Sequence, residues 1–87
     1  MKTRHHTSPA GLAFTTGDAE TSEQIAARFN DPDALKALAR WYLDAPADWA
    51  RGWYFRNVML ARGNMDAPAW TTRDCFIQAS GILTMRA

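Results

Sequence analysis

Residues 31–46, DPDALKALARWYLDAP, decide the fold of this chain. Asp31 can accept a hydrogen bond from the first free backbone N–H groups of a helix, and Pro32 fits the first helical position. Apolar side chains then follow at steps of three and four residues, so they share one helix face: Ala34, Leu35, Leu38, Trp41 and Tyr42. Pro46 ends the helix, because proline disfavours helical geometry in the residue before it. The segment therefore predicts an amphipathic helix with one buried face.

Further helix signals lie on both sides of this segment. Thr21 or Ser22 can cap a short helix before it. A third helix is expected at about 47–62, with Asp48 near its start, where a carboxylate favours the helix dipole. Gly63 is expected to end that helix, because glycine readily takes the left-handed conformation found at helix C-termini.

A fourth helix is expected at about 72–79. Thr71 and Asp74 stand three residues apart, the spacing of a capping box with aspartate in place of glutamate. Gly81 is expected to break this helix. Residues 82–85 then form either a strand-like tail or a helical turn that packs back.

Residues 73–86, RDCFIQASGILTMR, resemble the first helix and turn of a helix-turn-helix motif, with Gly81 as the turn glycine. The resemblance implies DNA binding. It departs from the motif at Ile77, where alanine is usual, and Arg73 and Arg86 are fewer basic residues than a phosphate-tracking face needs. A helix C-terminus closed by glycine explains the same pattern without DNA.

The organisation along the chain is that of one small domain of 87 residues. Residues 1–20 are rich in Thr, Gly, Pro and Ser, and predict a flexible N-terminal arm with a short extended piece at 11–16. Residues 21–87 predict a single helical domain. The expected fold class is all-α, a compact bundle of three or four short helices.

Composition limits the compartment and the chemistry. Lys and Arg number 10 and Asp and Glu 9, so the net charge is +1. Cys75 is the only cysteine, which excludes an internal disulfide and a multi-cysteine zinc site. His5 and His6 indicate a solvated tail and stand where a signal peptide needs apolar residues. We expect a cytoplasmic protein with no membrane contact, no metal and no cofactor.

An aromatic and arginine-rich stretch stands out at residues 49–62, WARGWYFRNVMLAR. On a helix, Trp49, Trp53 and Leu60 share one face, and Phe55 and Val58 lie roughly opposite. Either this is a central helix covered by the others, or one face lies in the core and the other binds a partner. The second interpretation predicts these partner-binding residues: Arg51, Tyr54, Phe55, Arg62, Trp70 and Arg73.

The expected function is a small non-catalytic protein-binding module that acts through this aromatic–arginine surface. The two histidines, His5 and His6, lie in the N-terminal arm, far from Cys75 in the sequence. No enzyme is predicted, because four aspartates occupy expected helix starts: Asp31, Asp33, Asp48 and Asp74. The partner would be another protein or a second copy of the chain. The small size of the chain itself fits an accessory or inhibitor protein of a phage or other mobile element. The alternative is a nucleic-acid-associated regulator using residues 51–87, where five basic and two acidic residues sum to +3.

Overall fold

A computed structural model describes residues 5–7, 13–15 and 20–85 of the chain, with side chains from residue 20 onward. The order of the helices is α1 (Ser22–Arg28), α2 (Pro32–Leu43), α3 (Trp49–Ala61) and α4 (Thr72–Leu83), with a 3-10 turn at Ala67–Ala69 between α3 and α4. α2 packs against α3 and α4, and α1 packs against α3. The predicted all-α bundle is confirmed.

The first two helices begin at the predicted caps. The Thr21 hydroxyl accepts a hydrogen bond from the Gln24 backbone N–H at 3.1 Å, and the Gln24 side chain accepts one from the Thr21 N–H at 2.9 Å. This reciprocal pair satisfies two N–H groups that the helix itself cannot use. At the start of α2, the Asp31 carboxylate accepts from the Asp33 N–H, and Pro32 occupies the first turn.

The last two helices also begin at side-chain caps. Asp48 accepts from the Arg51 N–H at 3.1 Å, so α3 starts at Trp49, two residues later than the predicted boundary at 47. Thr71 and Asp74 form the predicted capping box, with bonds of 3.1 and 3.0 Å. Local side-chain chemistry therefore sets the start of each helix.

α3 ends at the predicted glycine. Gly63 has a φ of +107°, a region that side chains with a Cβ rarely adopt. Its N–H donates to the Leu60 carbonyl at 2.9 Å, and the Asn64 N–H donates to the Met59 carbonyl at 3.0 Å. These bonds satisfy carbonyl groups that the end of the helix leaves open.

α4 continues through Gly81, so the predicted end at residue 79 is wrong. The helix runs to Leu83, and Thr84 caps it. Ile82 is buried and Leu83 packs against the core. Burying an isoleucine stabilises by about 1.5–3 kcal/mol, more than the roughly 1 kcal/mol that glycine costs in a helix. The resemblance to a helix-turn-helix motif fails here, because Gly81 lies within a helix and not in a turn.

The core lies between α2, α3 and α4, with α1 closing one side. It is built from aromatic and aliphatic side chains, and the largest fully buried ones are Tyr42, Phe29, Phe55, Leu38, Val58 and Cys75. The stripe predicted on α2 is largely in the core, because Leu35, Leu38, Trp41 and Tyr42 are buried and Ala34 is partly buried. α2 thus packs against both α3 and α4, and its buried face supplies much of the core.

Two short strands precede the helices. Strands β1 (His5–Thr7) and β2 (Ala13–Thr15) pair antiparallel, with His6 opposite Phe14. β2 falls within the extended piece expected at 11–16, whereas β1 was not expected. A flexible arm is predicted for residues 1–20. Apart from the two strands and residue 20, this segment lies outside the described residues, so the flexibility stays a prediction.

Candidate protein-binding surface

α3 has one face in the core and one face toward solvent. The buried face consists of Gly52, Tyr54, Phe55, Val58 and Met59. The other face carries two large aromatic side chains, and 77% of Trp49 and 52% of Trp53 are exposed. The interpretation of α3 as a helix covered on all sides is therefore wrong.

Gly52 lies on the face of α3 that turns inward. A Cβ placed on Gly52 would lie 3.9 Å from Cε1 of Tyr42 and 3.0 Å from Nη1 of Arg56. The first is an ordinary van der Waals distance and the second involves the flexible end of an arginine side chain, so the packing of α3 against α2 does not depend on a glycine here. Phe55 and Val58 lie on the same side and are fully buried. The indoles of Trp49 and Trp53 lie on the opposite side of α3, outside the core.

Trp49 and Trp53 together form what we call the tryptophan surface. They stand one turn apart on α3, where side chains four residues apart are neighbours. Their rings are stacked, with centroids 6.3 Å apart and an interplanar angle of 22°. Asn57 continues the turn and donates its side-chain N–H to the Trp53 carbonyl at 2.7 Å. The pair presents a continuous apolar area that the described helices leave exposed.

Two of the predicted binding residues, Tyr54 and Phe55, lie in the core and not on an outer face. The Tyr54 ring meets the Trp41 ring edge to face at 5.6 Å, and its hydroxyl accepts a hydrogen bond from Arg28 at 2.8 Å. Burial raises the pKa of Tyr54, and the Arg28 guanidinium partly offsets this. Phe55 has no exposed area and packs against Trp70, with centroids 6.3 Å apart. This corrects their predicted position, because the Gly52 side of α3 is the one that packs inward.

Arg51 is engaged within the chain. Its guanidinium lies 5.1 Å above the ring centroid of Trp41 and donates to the Trp41 carbonyl at 2.6 Å. The Asp44 carboxylate lies 3.7 Å from the same nitrogen. Planar stacking combined with hydrogen bonding is a property of arginine that lysine lacks. Arg51 therefore joins the start of α3 to the end of α2.

The remaining predicted residues lie apart along the chain. Trp70 is half-buried against the core, and its carbonyl accepts from Arg56 Nε at 2.8 Å. Arg62 caps the C-terminus of α3 and Arg73 lies in the first turn of α4, and both are exposed. The predicted set thus divides into core residues, structural contacts and exposed arginines, and does not form one surface.

Trp49 and Trp53 are not among the binding residues predicted from the sequence. Their shared helix face was visible in the four-residue spacing. Periodicity could not decide whether this face or that of Phe55 turns inward, because both are strongly apolar. No signal within the helix decides it, because the choice depends on how α3 packs against α2 and α4.

Two carboxylates lie at the tryptophan end of α3. Asp48 immediately precedes Trp49 and caps the helix. Asp44 caps the C-terminus of α2, and its side chain is 81% exposed. Both are tied to Arg51, Asp44 through the side chain and Asp48 through the backbone N–H. The start of α3 therefore combines exposed indoles with two carboxylates and one arginine.

The thiol of Cys75 is fully buried in the core. Burial raises its pKa, Arg56 partly offsets this, and Asp74 adds to it. A protonated, enclosed thiol is a poor nucleophile. Within residues 20–85 and the two strands, no group of three or more His, Cys, Asp or Glu side chains is placed to hold a metal ion.

Comparisons with protein-family models, with curated proteins and with solved structures found no match to this chain. In the described part of the chain, no helix has both the length and the apolar character needed to cross a bilayer. The function of the chain has to be inferred from its own side chains.

Proposed function

We propose that the chain is a small non-catalytic protein-binding module that docks through the tryptophan surface. The observation that carries the proposal is the exposure of Trp49 and Trp53, side by side on one helix. A tryptophan side chain offers on the order of 200 Å² of contact area. Tryptophan is also among the residues most enriched where a protein complex gains its binding energy. A partner that covers both indoles would remove this apolar area from water.

The absence of catalysis in this proposal is supported by what the reactive side chains do. The Cys75 thiol is enclosed by the core, and burial raises its pKa. The carboxylates of Asp31, Asp48 and Asp74 each accept a backbone N–H at the start of a helix. These groups are thus used for folding, whereas acid–base catalysis needs a carboxylate that faces a substrate.

The nucleic-acid alternative has weaker support. Arg51 and Arg56, which belong to the basic segment 51–87, donate to carbonyl groups of the chain at 2.6 and 2.8 Å. Asp44 and Asp48 lie at the same end of α3 as the indoles, where they would repel phosphates. Arg62 and Arg73 are exposed, but phosphate-driven binding needs a larger set of cations.

We further propose that the protein acts in the cytoplasm as an accessory or inhibitor protein, of the kind that phages and other mobile elements encode. The single cysteine supports the cytoplasmic location, because a small secreted domain usually depends on several disulfides. The partner would be another protein or, as the second possibility, a second copy of this chain. The experiment described next distinguishes the two.

Affinity capture from a lysate of the producing cells tests the proposal, with and without nuclease. The test variant is Trp49→Ala/Trp53→Ala, and the matched control is Phe76→Ala/Ile77→Ala, which removes two exposed apolar side chains from α4. We expect a stoichiometric partner that resists nuclease, is retained by the control and is lost by the test variant. Equal capture by both variants would refute the tryptophan surface, and loss on nuclease treatment would favour the alternative. Mass measurement of the purified protein identifies a homodimer.

A further inference from the structure

We infer that the tryptophan surface receives a basic segment of its partner, with an arginine or lysine side chain laid against the indoles and paired with Asp44 and Asp48. This inference rests on the proposed protein-binding function and specifies the chemistry of the partner. Its grounds are the charges around the indoles and a contact of the same kind within the chain.

The side chains around the start of α3 carry a small excess of negative charge. Residues 41–51 contain two acidic side chains, Asp44 and Asp48, and one basic side chain, Arg51, so their charge sums to −1. Asp44 stands at the C-terminus of α2, where the helix dipole disfavours a carboxylate. Its contact with Arg51 is a loose one of 3.7 Å, and 81% of its side chain remains exposed. A cationic partner group would therefore find a carboxylate that the fold holds near the indoles and leaves largely open.

The chain already contains a contact of the proposed kind between α2 and α3. The Arg51 guanidinium lies over the Trp41 ring at 5.1 Å, donates to a carbonyl at 2.6 Å and faces Asp44 at 3.7 Å. Trp49 and Trp53 offer indole faces of the same kind on the outer side of the same helix. Arginine binds such faces by stacking, while its planar fork pairs with a carboxylate. The partner's cation would make with Trp49 or Trp53 the contact that Arg51 makes with Trp41.

A negatively charged partner segment would bind less well. An acidic peptide or a nucleic acid stacked on Trp49 would bring its charges toward Asp48, the preceding residue. Binding of a basic segment involves few ion pairs, so its affinity should fall only modestly with salt. The affinity of a protein that binds nucleic-acid phosphates, in contrast, falls steeply as the salt concentration rises.

Peptide titration tests the inference. The probe is a blocked peptide of alternating arginine and glycine, and the matched probe has glutamate in place of arginine. Binding is followed by NMR through the indole N–H signals of Trp49 and Trp53. The variant Asp44→Asn/Asp48→Asn removes both charges, and asparagine keeps the helix cap. The control Asp31→Asn/Asp33→Asn makes the same change of net charge about 18 Å away along α2.

We expect the arginine peptide to shift both indole signals, and its affinity to fall by about tenfold in Asp44→Asn/Asp48→Asn. The control variant should bind within about twofold of the original chain. Equal losses in both variants, unmoved indole signals, or tighter binding of the glutamate peptide or of an oligonucleotide would overturn the inference. If the natural partner is lost with Trp49→Ala/Trp53→Ala but binds Asp44→Asn/Asp48→Asn unchanged, the docking function stands and the basic segment is refuted.

Discussion

Tyr42 on α2 and Phe55 on α3 stack at the centre of the core, with ring centroids 5.0 Å apart and planes 20° from parallel. Neither ring has exposed area. Offset stacking of this kind adds to the free energy that burial of each ring already provides. The pair holds together the two helices whose junction carries Trp49, so the stability of the core and the position of the exposed indoles are linked.

Phe55→Ala should destabilise the domain far more than Trp53→Ala. The first substitution empties a fully buried site and is expected to lower the free energy of unfolding by about 3–5 kcal/mol. The second shortens a half-exposed side chain and should cost under about 1 kcal/mol. Urea unfolding followed by circular dichroism measures both. Similar losses in the two variants would contradict the assignment of the faces of α3.

Arg51→Lys should lower the free energy of unfolding by about 1–2 kcal/mol, although the charge is kept. A lysine ammonium cannot both lie flat on Trp41 and donate to its carbonyl, as the guanidinium of Arg51 does. The control is Arg62→Lys, an exposed position expected to change stability by less than about 0.5 kcal/mol. The measurement is again denaturant unfolding. An Arg51→Lys variant as stable as the control would show that the charge alone matters.

Gly81→Ala should stabilise the protein by about 0.5–1 kcal/mol. A Cβ at Gly81 would meet no atom within 4 Å, and the residue lies in α4, where alanine is the best helix former. Gly63→Ala should have the opposite effect, because Gly63 has a φ of +107°. Thermal melting of both variants gives the two signs. A destabilised Gly81→Ala would mean that α4 does not continue through this position in solution.

Stability should fall in alkaline solution. Burial raises the pKa of Tyr42 and of Tyr54 above the ordinary value of 10.0. Because the folded state binds these protons more tightly, their contribution is complete below pH 10 and is lost as the pH rises through the higher folded-state values. Cys75 adds the same trend from its ordinary value of 9.0. Urea midpoints at pH 8 and pH 11 measure the loss.

The control for the alkaline effect is Tyr42→Phe. It keeps the ring but removes one ionisable group, whose hydroxyl makes only a long contact of 3.5 Å with the Thr72 carbonyl. The fall between the two pH values should be smaller in this variant. An unchanged midpoint in the original chain at pH 11 would refute the buried environment of both phenols.

The helix boundaries could largely be predicted because they depend on neighbours in the sequence. Each helix cap joins two residues at most three positions apart, so both hydrogen-bonding groups can be recognised in the sequence. The capping residues are Thr21, Asp31, Asp48 and Thr71. The end of α4 could not be predicted in the same way. Gly81 is a local stop signal, but the burial of Ile82 depends on the core as a whole.

The burial of each predicted binding residue depends on long-range packing. The sequence alone therefore does not show that Tyr54 and Phe55 lie in the core. Both faces of α3 are aromatic, so hydrophobic periodicity does not distinguish them. The buried face is defined by packing between helices, such as the stacking of Phe55 on Tyr42, residues that are thirteen apart in the sequence. The role of Arg51 was hidden for the same reason, since its partner Trp41 lies on α2.

The uneven burial of the tryptophans gives the molecule two separate optical signals. Trp41 is only 5% exposed, whereas Trp49 and Trp53 face water. The emission of a shielded indole lies at shorter wavelength and escapes collisional quenching by dissolved iodide, whereas an exposed indole is quenched. The blue, protected fraction of the fluorescence therefore reports the integrity of the core, and the red, quenchable fraction reports what lies against the outer side of α3.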